Sequence, residues 1–149
     1  MNSNNRTTGT EDMKVRLSLL WVFAMFNYLY ADVFSLYFNP GASEEALTFT
    51  QGSEGFVLGF AVLMETAIAM VLLSRVLKYG ANRWANIVAG VIHTAAVFLS
   101  TFVGTQPALY YVFFATIEIA CTLYIVWCAW RWPNPEGTVL KANLSDIKG

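Results

Sequence analysis

The chain has 149 residues, of which 56% are hydrophobic and only 13% are charged, whereas ordinary soluble domains carry about 25% charged residues. The net charge of −1, with no dense basic patch, excludes a nucleic-acid-binding surface. This composition predicts an integral, multi-pass membrane protein that is surrounded by the lipid bilayer.

Four apolar segments follow one another along the chain, each close to the roughly 20 residues with which a helix crosses a bilayer. They span residues 17–38, 56–77, 84–104 and 108–130, to within a few residues. Because a backbone in lipid must satisfy its own hydrogen bonds, these segments are predicted to be helices. The predicted fold is an all-α bundle of four transmembrane helices over residues 15–132. A disordered tail is expected over residues 1–14 and a polar tail over residues 133–149.

All nine Lys and Arg residues lie on one side of these segments. They fall in the N-terminal tail, in the second connection and beyond the fourth segment: Arg6, Lys14, Arg16, Arg75, Lys78, Arg83, Arg131, Lys141 and Lys148. Basic residues accumulate on the cytoplasmic side of membrane proteins. The charge distribution therefore predicts that both termini are cytoplasmic.

Four ionisable side chains interrupt the apolar segments, one in each: Asp32, Glu65, His93 and Glu118. At a helical rise of 1.5 Å per residue, the last three lie roughly 14 to 15 Å from the outer ends of their helices, and Asp32 lies roughly 9 Å from its outer end. The segments run in alternating directions, so hydrophobicity alone would not align these groups. The spacing predicts a shared polar layer near the middle of the membrane.

The helical period of 100° per residue indicates which neighbours share a face with these ionisable groups. The side chains expected to face the interior are, segment by segment, Asn27, Tyr28 and Asp32; Leu58, Val62, Glu65 and Leu72; Asn86, Gly90, His93 and Val97; and Tyr111, Glu118 and Thr122. Bulky apolar side chains occupy the remaining surface of the first segment. The polar residues there are therefore expected to form one stripe that points into the bundle.

A charged side chain at the centre of a bilayer costs at least about 2.5 to 3.5 kcal/mol, so a carboxyl there is a functional-site hypothesis by default. Desolvation and like-charge repulsion should keep one of several buried carboxyls protonated while another stays ionised. Such a pair supports the general acid and base steps of isomerisation, cyclisation or epoxide opening of a lipophilic small molecule. The predicted catalytic residues are Asp32, Glu65 and Glu118. The predicted substrate-binding residues are Asn27, Tyr28, His93, Tyr111 and Thr122.

Motifs for other chemistries are missing from the sequence. A carboxylate-bridged di-metal site would need Glu-x-x-His pairs, but the residue three positions after Glu118 is Cys121. No Gly-rich phosphate loop, nucleophile elbow or Cys-x-x-Cys pair is present. The sequence predicts neither a cofactor nor a metal, although it leaves open a single ion held by Glu65, His93 and Glu118.

The same pattern leaves other functions open. The polar residues can instead hold the bundle together by hydrogen bonds, and for His93 alone this packing role is the favoured one. The site could also capture a lipophilic ligand without chemistry. A small proton-coupled exporter of the multidrug type is the main alternative, although the one-sided charge fixes a single orientation and disfavours its antiparallel dimer. A non-catalytic accessory subunit and a homo-oligomer are also compatible with the sequence.

Three stretches carry a resemblance to a known family: LWVFAMFNYLYADV, METAIAMVLLSRVLKYGANRWANI and FFATIEIACTLYIVW. With them, over residues 14–132, the chain resembles a family of small four-helix membrane proteins of unknown function, known mainly from bacteria and grouped with DoxX-like proteins. The resemblance implies the fold but no activity, and its polar positions fall on Asn27, Tyr28, Asp32, Glu65 and Glu118. A fainter similarity runs to the emopamil-binding and sterol-isomerase superfamily, whose bundles surround a lipophilic ligand with acidic residues and a His. It implies such a role for Asp32, Glu65 and His93.

Overall fold

The described part of the chain, residues 3–39, 41, 54–102 and 108–134 of a computed structural model, forms four long helices. They are α1 (Ser3–Phe38), α2 (Glu54–Val76), α3 (Tyr79–Phe102) and α4 (Leu109–Arg131). Each contains a stretch long and apolar enough to cross a membrane. The predicted all-α class and the four helices are therefore confirmed.

The ends of the helices differ from the sequence-based boundaries. Helix α1 begins at Ser3, so it includes residues 3–14, which the sequence-based boundaries assign to a disordered tail. Hydropathy detects only the apolar part of a helix, and the polar first turns are stabilised locally, as by the 3.1 Å ion pair between Lys14 and Glu11. Met13 also packs against the core of the bundle. Most of the predicted first loop and of the polar C-terminal tail lies outside the described residues.

The helices pack as a square in which α1 contacts α2 and α4, and α3 contacts α4 and, less extensively, α2. Helices α1 and α3 therefore lie across the diagonal, and their long side chains meet at the centre of the bundle. Helices α3 and α4 come close together at Gly90, where an added Cβ atom would lie 2.6 Å from Val126 Cγ2. A small residue at this position is what allows the two backbones to come together.

The orientation of α2 corrects one sequence-based expectation. Leu58, Val62 and Leu72, which were expected to face inward with Glu65, are 58% to 68% exposed. The buried face of α2 instead carries Ala67, Met70 and Ser74, which are at most 2% exposed. Between Gly55 and Leu73, helix α2 carries polar side chains only at Glu65 and Thr66, so its sequence contains little information about which side faces the bundle.

Candidate functional site

A network of buried polar side chains joins α1, α2 and α3 in the half of the bundle nearer the basic residues. Asn86 lies at its centre: its Oδ1 accepts hydrogen bonds from Trp21 Nε1 at 2.8 Å and from Ser74 Oγ at 3.2 Å. Its Nδ2 donates to Asn82 Oδ1 at 2.7 Å. Asn82 Nδ2 in turn donates to the carbonyl of Ser74 at 2.6 Å. We call Trp21, Ser74, Asn82 and Asn86 the asparagine network.

Both amide side chains of the asparagine network have donors and acceptors matched, which is the arrangement expected of a structural polar cluster. Asn86 was expected to face inward with His93, as it does, but its partners were not expected. The signal was present in Asn82 and Asn86, two Asn residues four positions apart in an apolar helix. Because they lie one turn apart on the same face, they could have been expected to act together.

The next polar layer is formed by Tyr28 and His93. His93 is 1% exposed, and its Nδ1 lies 3.3 Å from the hydroxyl oxygen of Tyr28. The two rings stack with centroids 5.7 Å apart, while the ring of Trp21 meets His93 edge-on at 5.2 Å. His93 Nε2 is buried and has no hydrogen-bond partner among the described residues. Two of the predicted binding residues are thus brought into contact across the diagonal of the bundle.

Glu118 lies on the inner face of α4, where it is 5% exposed. Its Oε1 atom is buried with no hydrogen-bond partner in the described part of the chain. Glu118 lies close enough to Tyr28, Asp32 and Tyr111 for their charges to interact. Asp32 lies equally within such range of Tyr111. Asp32 is itself exposed at the edge of the bundle, so Glu118 is the buried carboxyl of this group.

Thr122 follows Glu118 by one helical turn and fixes that part of α4 against α3. Its hydroxyl donates to the carbonyl of Glu118 at 3.0 Å and pairs with the hydroxyl of Thr94 at 2.7 Å. Thr122 therefore links α4 to α3 one turn from Glu118, and its predicted role in substrate binding stays a prediction.

A groove of about 460 Å³ lies between α1 and α2. Its lining is Val22, Met25, Phe26, Tyr28, Leu29, Asp32, Met64, Ala67 and Ile68. Tyr28 and Asp32 are the two polar residues of this lining. Phe26, Leu29 and Ile68 are also exposed on the outer surface of the bundle, so the groove opens sideways. We call it the α1–α2 groove.

Two predicted site residues are not brought to this cluster. Glu65 is exposed on the outward face of α2 and does not line the groove. Asn27 is half-buried, and its Nδ2 donates to the carbonyl of Phe23 in its own helix at 2.9 Å. The structure therefore unites Tyr28, Asp32 and His93 with Tyr111 and Glu118. Among the described residues, no three His, Cys, Asp or Glu side chains are grouped so as to hold a metal ion.

Comparison with known protein families gives one match, to the model of a family of unknown function, over residues 8–138. The chain belongs to this family, DUF6326. The matched region contains all four apolar spans and every residue of the site described above. No curated protein and no solved structure matches the chain. Membership of DUF6326 supplies no activity, and the resemblances to DoxX-like proteins and to the sterol isomerases remain predictions.

Proposed function

We propose that this DUF6326 protein is a multi-pass membrane protein that binds a lipophilic small molecule in the α1–α2 groove. The observation that carries the proposal is the carboxyl of Asp32 in the wall of a groove that is otherwise almost entirely apolar. Its volume of about 460 Å³ falls within the range of roughly 300 to 1,000 Å³ typical of ligand pockets. A ligand could enter sideways from the bilayer because the groove opens at the outer surface of the bundle.

The membrane placement has two supports. The four helices have the length and hydropathy needed to cross a bilayer. All nine basic residues belong to the end at which α1 begins and α4 ends, or to the segments beyond it. On the positive-inside rule this end is cytoplasmic, and the outer ends of the helices face the opposite compartment.

We further propose that Asp32 is the acid and base of an intramembrane isomerisation. Its carboxylate would remove a proton from a carbon next to a carbonyl group, leaving Asp32 protonated and the ligand as an enolate. Asp32 would then return that proton to a different carbon, so that the double bond moves and the protein is regenerated. A protonated Glu118 would leave the negative charge on Asp32, where the reaction needs it. Glu65 has no part in this scheme because it faces outward.

Photo-crosslinking tests the binding step. The purified protein, in nanodiscs, would be irradiated with a long-chain alkyl diazirine amide and the modified peptides sequenced. Labelling is expected on α1 and α2 around the groove. Ile68→Trp should block it by filling the groove, whereas Val62→Trp, on the outward face of the same helix, should leave it unchanged. Equal labelling in both variants would refute the groove as the binding site.

The chemical step requires a separate measurement. A lipophilic β,γ-unsaturated ketone incubated with the protein should be converted to its conjugated α,β-unsaturated isomer, which ultraviolet absorbance detects, and Asp32→Asn should abolish the conversion. Probe binding without this conversion would make the protein a binding protein. Ligand-dependent proton flux in liposomes would instead favour the exporter. The absence of both binding and flux would favour a non-catalytic accessory subunit.

A further inference from the structure

A second feature of the molecule lies at the end of the bundle where α3 begins and α4 ends. Arg131, in the last turn of α4, stacks over the ring of Trp127 with its guanidinium carbon 5.5 Å from the ring centroid. Arg83 of α3 stacks over Trp130 at 5.8 Å. We call these four residues the Arg–Trp rim. Both Trp rings are more than half exposed, so the rim lies on the outer surface of the bundle.

In the part of the chain that the structure describes, the guanidinium groups of the rim have no carboxylate partner. The one ion pair among the described residues joins Lys14 to Glu11 on α1. Arg83 donates instead from Nη2 to the carbonyl of Trp130 at 3.1 Å, and its Nε is buried without a hydrogen-bond partner in the described chain. An Arg side chain presents five donors in a planar fork that matches the oxygens of a phosphate group. The rim therefore presents two guanidinium groups whose charge and donors suit an anion.

The surface next to the rim indicates what kind of anion it would take. Tyr124 stacks on Trp127 with ring centroids 5.6 Å apart, and Leu123 beside it is 52% exposed. Together with Arg131, these residues form a charged group followed by an aromatic and then an aliphatic surface along one side of α4. This order matches the order of groups in a phospholipid, from phosphate through glycerol to acyl chain. A free phosphate ion would use only the first part.

We propose that the Arg–Trp rim binds the phosphate group of an anionic phospholipid, with an acyl chain lying along Leu123 and Tyr124. The proposal rests on the membrane placement proposed above but is independent of the α1–α2 groove. Its occupant would belong to the cytoplasmic leaflet, because the rim lies at the basic end of the bundle.

Native mass spectrometry of the full chain released from nanodiscs measures the affinity directly. Phosphatidylglycerol is expected to be retained at least about tenfold more tightly than phosphatidylcholine, since two basic side chains contribute. The double variant Arg83→Gln, Arg131→Gln should lose this preference. The control double variant Arg75→Gln, Lys78→Gln removes the same charge from the same end of the bundle. Neither of these side chains stacks on a Trp ring of the described residues, so the preference should remain. Glycerol phosphate in solution should not compete.

Three results would overturn the proposal. Equal retention of the two lipids would show that there is no selective site. An equal loss of preference in both double variants would show that general charge attraction explains the binding. Competition by glycerol phosphate at equal concentration would show that the rim is a site for soluble phosphate esters. If the loss of Arg83 disturbs folding, the single variant Arg131→Gln, which changes an exposed side chain, serves in place of the double variant and should weaken the lipid preference. Membrane fractionation of each variant distinguishes loss of the lipid site from failure of membrane insertion.

Discussion

Replacing Gly90 by Ala tests whether the close approach of α3 and α4 holds the site together. The added Cβ would lie 2.6 Å from Val126 Cγ2 and 3.3 Å from the carbonyl oxygen of Thr122, whereas carbon atoms pack at about 3.5 to 4.0 Å. The two helices must therefore separate by roughly 1 Å, because the first contact is with a β-branched side chain with little rotamer freedom and the second is with backbone.

The expected cost can be set against a matched control. Over-packing of this kind costs about 1 to 3 kcal/mol, while replacing Gly by Ala within a helix gains up to about 1 kcal/mol. Gly59, in α2, has no atom within 4 Å of an added Cβ, so Gly59→Ala should show the gain alone. The free energies of unfolding of the two variants should therefore differ by about 1 to 3 kcal/mol, with Gly90→Ala the less stable.

Reversible unfolding in mixed micelles, followed by circular dichroism as the fraction of denaturing detergent is raised, measures this difference. Val126→Ala should relieve the clash, so the two changes combined should cost less than the sum of their separate effects. Equal stability of Gly90→Ala and Gly59→Ala would show that the helices are not in contact at this point, and the position of Glu118 opposite α3 would then lose its support.

The remaining predictions concern the polar layers, the outward carboxyl and the topology. Asn86→Leu leaves an indole donor and a hydroxyl donor without their acceptor, so it should lower the free energy of unfolding by at least about 2 kcal/mol in the same assay; a loss under about 0.5 kcal/mol would contradict the network. Glu65→Gln should leave probe crosslinking within about twofold of the wild type, whereas Asp32→Asn should reduce it by about tenfold or more, the loss expected of a polar contact in an apolar groove; the opposite order would mean that α2 is rotated. A cysteine at Lys78 should react with a membrane-impermeant maleimide only from the cytoplasmic side and a cysteine at Glu54 only from the other side, and reaction of either cysteine from both sides would contradict the fixed orientation.

The predicted homo-oligomer stays a prediction, and Glu65 offers a way to examine it. A carboxyl on the outward face of an apolar helix would be costly in lipid, and such groups usually pair with one another or face a polar cavity. If α2 contacts α2 of a second copy, a cysteine at Val62 should form a disulfide between two chains under mild oxidation, and Glu65→Leu should weaken this crosslinking. Crosslinking that is absent, or unchanged by Glu65→Leu, would exclude a contact that depends on Glu65.

The sequence by itself determined the number and class of the helices, because hydropathy and length are local properties of a segment. It also predicts an approximate depth for the polar side chains, since the rise of a helix is constant. For α3, polar residues are gathered on one side, and the inward direction of His93 followed correctly. The polar stripe on α1 was partly correct: Tyr28 is buried against His93, while Asp32 lies at the edge in the wall of a groove.

The rotation of α2, the asparagine network and the α1–α2 groove were decided only by tertiary structure. A helix that is apolar on all sides can bury any side, and the choice for α2 depends on the small side chains Ala67 and Ser74 fitting against its neighbours. The sequence of α2 does not show which parts of the neighbouring helices it will meet. Glu65 was therefore predicted to face the interior, whereas it lies on the outer surface. The groove is likewise formed by side chains of both α1 and α2. Its shape depends on how the two helices are placed relative to each other, which the sequence of neither helix shows.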